Sequence, residues 1–142
     1  MSMDYKILSK FIKDLSFEIP DSKAILSLEQ NITKYNVVVN ITAKAIKNNI
    51  IQVETIFQFN ADEILESKAH IEINLASLVR VDESLNKDKA ELEKIILISV
   101  PNEVYPTIFQ IFKNLLKECG MDNLNIKKEI NFEELYQKNK KN

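Results

Sequence analysis

Lys68-Ala69-His70-Ile71-Glu72-Ile73-Asn74-Leu75-Ala76-Ser77-Leu78-Val79-Arg80-Val81 is the stretch on which the fold turns. Ala69, Ile71, Ile73, Leu75, Val79 and Val81 keep one parity, and Lys68, His70, Glu72, Asn74 and Arg80 keep the other. Such alternation marks a β-strand with one face on a core and the other in water. Upstream, Val37, Val39, Ile41, Ala43 and Ala45 oppose Asn40, Thr42 and Lys44 within Tyr35 to Ala45. Ile51, Val53, Thr55, Phe57 and Phe59 likewise oppose Gln52, Glu54 and Gln58 within Ile51 to Asn60. Lys47-Asn48-Asn49 is a turn signal, and Ala61 to Ser67 reads as a connection.

A shorter strand is predicted over Phe11 to Glu18. Phe11, Leu15 and Phe17 share a parity with Lys13, and Ile12, Asp14, Ser16 and Glu18 take the other. Pro20-Asp21 ends it, because proline lacks the amide a ladder needs. Asp21 to Lys34 reads as irregular, with weak strand potential at Ala24 to Leu28. Four strands joined by short polar links predict an antiparallel meander.

After Val81 the period changes. Ser84 to about Ile98 has helical character, with Lys87/Glu91 and Lys89/Glu93 four residues apart. Asn102 is placed to cap a second helix that runs to Glu118 or Cys119 and stops at Gly120, with Pro106 near its first turn. On that helix Thr107, Gln110, Lys113, Asn114 and Lys117 form a narrow polar stripe. Ile108, Phe109, Ile111, Phe112, Leu115 and Leu116 cover the rest. An ordinary surface helix has an apolar arc of about 100°. This one is nearly twice as wide, so one side suits the sheet and the other suits a second copy of the chain. A last helix is predicted from Asn131, with Glu134 completing a capping box and Phe132, Leu135 and Tyr136 on its apolar side. The chain thus reads as α+β: one domain over residues 1–137, then a short, flexible, lysine-rich tail over 138–142.

Composition excludes several functions. Gly120 is the only glycine, so neither a phosphate-cradling loop nor a dinucleotide-binding turn can be written. A net charge of −2 argues against a nucleic-acid partner, which would need a basic face. One cysteine, Cys119, allows no disulfide framework and fits a reducing compartment. The first ten residues carry no apolar stretch like that of a signal peptide. No run approaches the ~20 apolar residues of a membrane span. A soluble cytosolic protein that does not insert into membranes is expected.

Few residues invite chemistry. His70 is the only histidine and lies in a polar strand row, which reads as an exposed surface residue and not a ligand. Cys119 reads as a small packing residue at a helix end. No nucleophile–base pair is present at motif spacing, so the chain is expected to be no enzyme, without metal or cofactor. Asp14, Ser16 and Glu18 line one strand face, and Glu72 lies in the polar row of another. If those faces coincide, the sheet presents an acidic patch. The ordinary reading is a solvated face. By periodicity alone, the Val37/Val39 row and the apolar side of the last helix read as core.

Two segments carry a resemblance. Lys13-Asp14-Leu15-Ser16-Phe17-Glu18-Ile19-Pro20 resembles the N-terminal K-D-x-S-F-E-x-P signature of the SecB export chaperones. Val100-Pro101-Asn102-Glu103-Val104-Tyr105-Pro106 resembles their C-P-N-x-L-F-P segment. Asn123-Leu124-Asn125-Ile126 and Ile130-Asn131-Phe132 are similar to the family's L-x-L and V-N-F steps. The resemblance implies a four-stranded antiparallel sheet packed by a long helix and shorter ones, assembling as a homotetramer, a dimer of dimers. It implies an ATP-independent chaperone that holds unfolded preproteins in apolar grooves and docks on the SecA motor. The family's acidic SecA-docking positions match Asp14, Glu18 and Glu72, and a neighbouring leucine position falls on His70. Groove positions map onto Val37, Val39, Phe132, Leu135 and Tyr136. The inter-dimer helix contact maps onto Ile108, Ile111, Phe112 and Leu115. An alternative within the fold is a chaperone dedicated to one partner, such as an antitoxin. A small α+β ligand-binding domain is a further one. The chain departs from the family at Val100, at Gly120-Met121-Asp122, at Glu129 and in its basic tail.

Overall fold

The computed structural model describes residues 5–61, 65, 67–84, 88–121, 123, 124, 126 and 129–140. Its strands are β1 (Tyr5–Glu18), β2 (Tyr35–Lys47), β3 (Ile50–Ala61) and β4 (His70–Val81). They form one antiparallel sheet in the order β1-β4-β3-β2. The meander β2-β3-β4 is as expected, and β1 returns to pair with β4 at the far edge. The tight β2–β3 connection uses Asn49 at φ 63°, a left-handed conformation that asparagine tolerates better than most residues.

One face of the sheet is dry. Val53, Phe57 and Phe59 of β3 and Ile71, Ile73, Leu75, Val79 and Val81 of β4 are buried there. The cover is a helix running from Lys89 to Glu118. It comprises α2 (Lys89–Lys94), a π-helical segment (Ile95–Ser99) and α3 (Val100–Glu118). Asp88 caps it by accepting from the Glu91 amide at 3.2 Å. The expected break at Asn102 is absent. The Val100 amide instead bonds the Ile95 carbonyl, five residues back, and the chain stays helical through Pro101. A π turn loosens the winding where Pro101 has no amide to give the ladder. Residues 85–87, within the expected first helix, lie outside the described residues. By length and composition this continuous helix could cross a membrane, a property hidden when it is read as two pieces; here much of its apolar side lies against the sheet.

Val104, Tyr105, Ile108, Phe109, Phe112 and Leu116 of α3 are all buried within this single chain. Phe112 lies between Phe57 and Phe59, 4.9 Å from each ring centroid, within the range of favourable aromatic pairs. Tyr105 packs edge-on to Phe132 at 5.8 Å. The wide apolar arc is therefore largely filled by the chain itself. Ile108 and Phe112, assigned from sequence to a contact between copies, have no surface left to give one. Ile111 and Leu115 remain half-buried.

α3 ends in a Schellman turn. Gly120 (φ 73°) donates to Lys117, and Met121 donates to Leu116 at 2.8 Å, with both Met121 and Leu116 buried. Cys119 is exposed at this end and does not pack, contrary to expectation. The segment read as irregular contains α1 (Ser22–Gln30), capped by Asp21, whose Oδ1 accepts from the Ala24 amide at 2.9 Å. Ala24, Ser27 and Leu28 are its buried stripe. α4 (Phe132–Lys140) is capped by Asn131, which accepts from the Glu134 amide at 2.9 Å. α4 extends through Lys140, so much of the stretch expected as a flexible tail is helical.

Phe112→Ala should cost about 3–5 kcal/mol, because three aromatic rings lose their common contact. Ile111→Ala, at the half-buried margin, should cost clearly less. Urea unfolding of both variants checks the order.

Candidate functional site

The outer face of the sheet begins with β1, which does not alternate simply. Its register against β4 slips between Ile7 and Ser9 and again between Ile12 and Asp14. Tyr5, Ile7, Lys10, Ile12, Leu15 and Phe17 therefore stand opposite the odd-numbered, core-facing residues of β4. Phe11, Asp14, Ser16 and Glu18 stand on the outer face. The predicted parity is thus corrected at three positions: Ile12 turns to the core side, and Phe11 and Lys13 to the outside. The predicted start is corrected as well, from Phe11 to Tyr5. Each slip is a β-bulge, which defeats a period-two reading.

The register brings the predicted carboxylates together. Asp14 is opposite Asn74, Ser16 opposite Glu72, and Glu18 opposite His70. Asp14, Glu18, Glu72 and His70 thus share one face on two neighbouring strands. Several are held by hydrogen bonds. Ser16 Oγ donates to Glu18 Oε1 at 3.0 Å, and Gln58 Nε2 donates to Glu72 Oε1 at 2.7 Å. His70 is half-buried, with Nδ1 hydrogen-bonded to Asn60 Oδ1, so it is not the freely exposed residue expected. A fourth carboxylate was not singled out in the sequence. Glu54 accepts from Asn74 Nδ2 at 2.9 Å, from Lys13 Nζ at 3.0 Å and from Gln52 Nε2 at 3.0 Å. The Asn74 bond above all, then Lys13, holds its carboxyl down to about 2.

The second surface is a groove at the β2 edge. Among the described residues β2 pairs only with β3, and its other edge has no strand neighbour. One cleft of about 600 Å³ lies between Val37, Val38 and Val39 of β2 and Ile130, Glu134, Leu135 and Lys138. A second of about 580 Å³ continues along Val39 to Thr42, against Glu93, Leu97, Phe132, Leu135 and Tyr136. Leu135 belongs to both clefts and is 39% exposed. Phe132 and Tyr136 are almost wholly buried and anchor α4, with Tyr136 Oη donating to Glu93 Oε1 at 3.2 Å. All five residues assigned to a groove thus line one cleft system, two of them as its foundation. Glu93 and Leu97 belong to it too. Their place follows from the unbroken long helix, which the sequence reading divided.

Comparison with known proteins agrees across the whole chain. The family model described as "Preprotein translocase subunit SecB" matches residues 2–142. A putative protein-export protein SecB of Pelagibacter ubique is 45% identical over 136 residues, covering 96% of each chain. The protein-export protein SecB of Rhodopseudomonas palustris strain BisB18 is 26% identical over 94% of this chain and 79% of its own. Among solved structures, the SecB-like chaperone of Mycobacterium tuberculosis in complex with a ChAD peptide from an antitoxin superposes with a TM-score of 0.66. It is 12% identical and is matched over 89% of this chain and 88% of its own.

A depressed carboxyl such as Glu54 contributes stability that is fully present above its unfolded value, near pH 4.5. That stability is lost as pH falls toward about 2. Glu54→Gln should lower the urea midpoint at neutral pH and flatten its decline through this acid window. Denaturation series from about pH 7 to about pH 2 check this.

Proposed function

This chain belongs to the SecB family, whose members are protein-export chaperones and not enzymes, and on that premise we propose that it is an ATP-independent holdase delivering unfolded preproteins to SecA. The observation that carries the reading is the groove. It is open and largely apolar, and Leu135 is exposed where its two clefts meet. Unfolded precursors expose apolar and aromatic segments, and burying these competes with their folding and aggregation. Val37, Val39 and Leu135 line the client site, above Phe132 and Tyr136.

The acidic outer face is a separate surface, suited to a cationic partner. Asp14, Glu18 and Glu72, with His70 beside them, are the residues that dock SecA in this reading. Charge at such a site steers encounter and is weakened by salt. Self-association as a dimer of dimers draws support from apolar side chains that the single chain leaves uncovered. Ile12 and Leu15 are exposed on the core side of β1, and Ile111 and Leu115 are half-buried on α3. The protein works in the cytoplasm, where clients await export. A dedicated antitoxin chaperone is the second reading, drawn from the mycobacterial protein's bound peptide. The far higher identity to a putative export protein favours the exporter.

The holdase reading expects concentration-dependent, ATP-independent suppression of aggregation of a denatured precursor, and a tetramer by light scattering. A monomer without effect on aggregation would overturn it. Reversing Asp14, Glu18 and Glu72 together to lysine should reduce SecA affinity at least tenfold and leave aggregation suppression intact. Equal loss of both activities would reject the separation of the two surfaces.

A further inference from the structure

Lys13 has no role in either surface as proposed, yet its placement is unusual. The β1–β4 register slips between Ile12 and Asp14, which leaves Lys13 as the extra residue of a bulge. A bulge lets consecutive side chains depart from alternation and re-aims them. Lys13 and Asp14 accordingly share the outer face. The Lys13 ammonium lies 3.0 Å from Glu54 Oε2. Glu54 is on β3, so the lysine reaches across the whole width of β4.

The β4 residue on that path is Ala76, which pairs with Phe11 on one side and Glu54 on the other and is fully buried. A longer side chain there would obstruct the reach. At the far end, Asn74 and Gln52 also donate to Glu54, and Asn74 is itself the cross-strand partner of Asp14. The Glu54 side chain is 13% exposed against 45% for Lys13. An exposed ion pair alone contributes little. A sheltered carboxylate already held by two amide donors is a firm anchor for a lysine arriving from solvent.

The geometry points to Lys13, Ala76 and Glu54 as a clamp across β4 that pins the β1 bulge and so positions Asp14 and Glu18 for a cationic partner. The consequence for docking rests on the role proposed above for the outer face. Without the clamp the bulge is free to migrate along β1, and each step of migration turns a residue from one face to the other. Lys13 is thus a positioning residue, and it carries the wrong charge to act by attraction.

That sign makes the test sharp. Lys13→Met removes a positive charge from an acidic face, so charge alone predicts tighter docking of a cationic partner. The clamp predicts weaker docking. Amide hydrogen exchange of the full chain and its SecA affinity at fixed salt are measured for Lys13→Met, for Ala76→Leu and for the swap Lys13→Glu/Glu54→Lys. The first two should speed exchange at residues 12–16 and weaken SecA binding roughly fivefold, with suppression of client aggregation unchanged. The swap should return affinity to within about twofold of the parent. Unaltered exchange in Lys13→Met, or SecA binding as tight as the parent's, overturns the clamp. Ala76→Leu leaves the charge unchanged and carries the test if Lys13→Met does not fold. Asp14→Lys is measured beside them. If it binds SecA undiminished, the docking role fails, and hydrogen exchange still decides the clamp.

Discussion

The insertion of Phe112 between Phe57 and Phe59 is the contact on which the architecture depends. It seats the long helix on one face of the sheet and brings Tyr105 over Phe57 and against Phe132. A four-stranded sheet covered on one side must leave its other face in water. Glu, Gln, Asn and Lys on that face bond one another across strands, as Gln58 does with Glu72 and Asn74 with Glu54. Burial of one face thus dictates where an acidic surface can lie.

The same packing explains the groove. The helix lies over β3 and β4, so β2, at the sheet's edge, is only partly covered. α4 comes back beside β2, held at its buried Phe132 and Tyr136 and capped by Asn131. What remains between α4 and β2 is an apolar trough with Leu135 standing in it. The groove and the acidic face are then physically separate, since one lies at the edge of β2 and the other on the outer face of β1 and β4.

β1 shows how a strand edge is tuned without regular alternation. Its two bulges interrupt a long edge strand, as proteins commonly do to blunt such edges. The second bulge also decides which side chains accompany the acidic row. It places Phe11 outside, 41% exposed, and turns Ile12 to the core side.

Much was legible in the residues alone. The alternation in β2, β3 and β4, the turn at Asn48-Asn49, the caps at Asn131 and Gly120 and the α+β class all follow from local rules whose signals lie within a few residues. The acidic row and the groove positions were reached by resemblance to a family signature. What tertiary structure alone decided depends on partners distant in sequence. α1 was missed because its cap Asp21 and its stripe Ala24, Ser27 and Leu28 form a short pattern, completed only when the stripe is buried. The helix was divided at Asn102 because that residue reads as a cap, while in the fold a π turn carries the helix up to Pro101 and through it. Ile108 and Phe112 were assigned to another copy because a wheel counts apolar residues without knowing what already covers them. The bulge at Lys13 is invisible to any period, since it is defined by the β4 register and by Glu54, 41 residues away. Local physics set the elements; the sheet register and the packing of one helix decided which residues face the core and which face solvent.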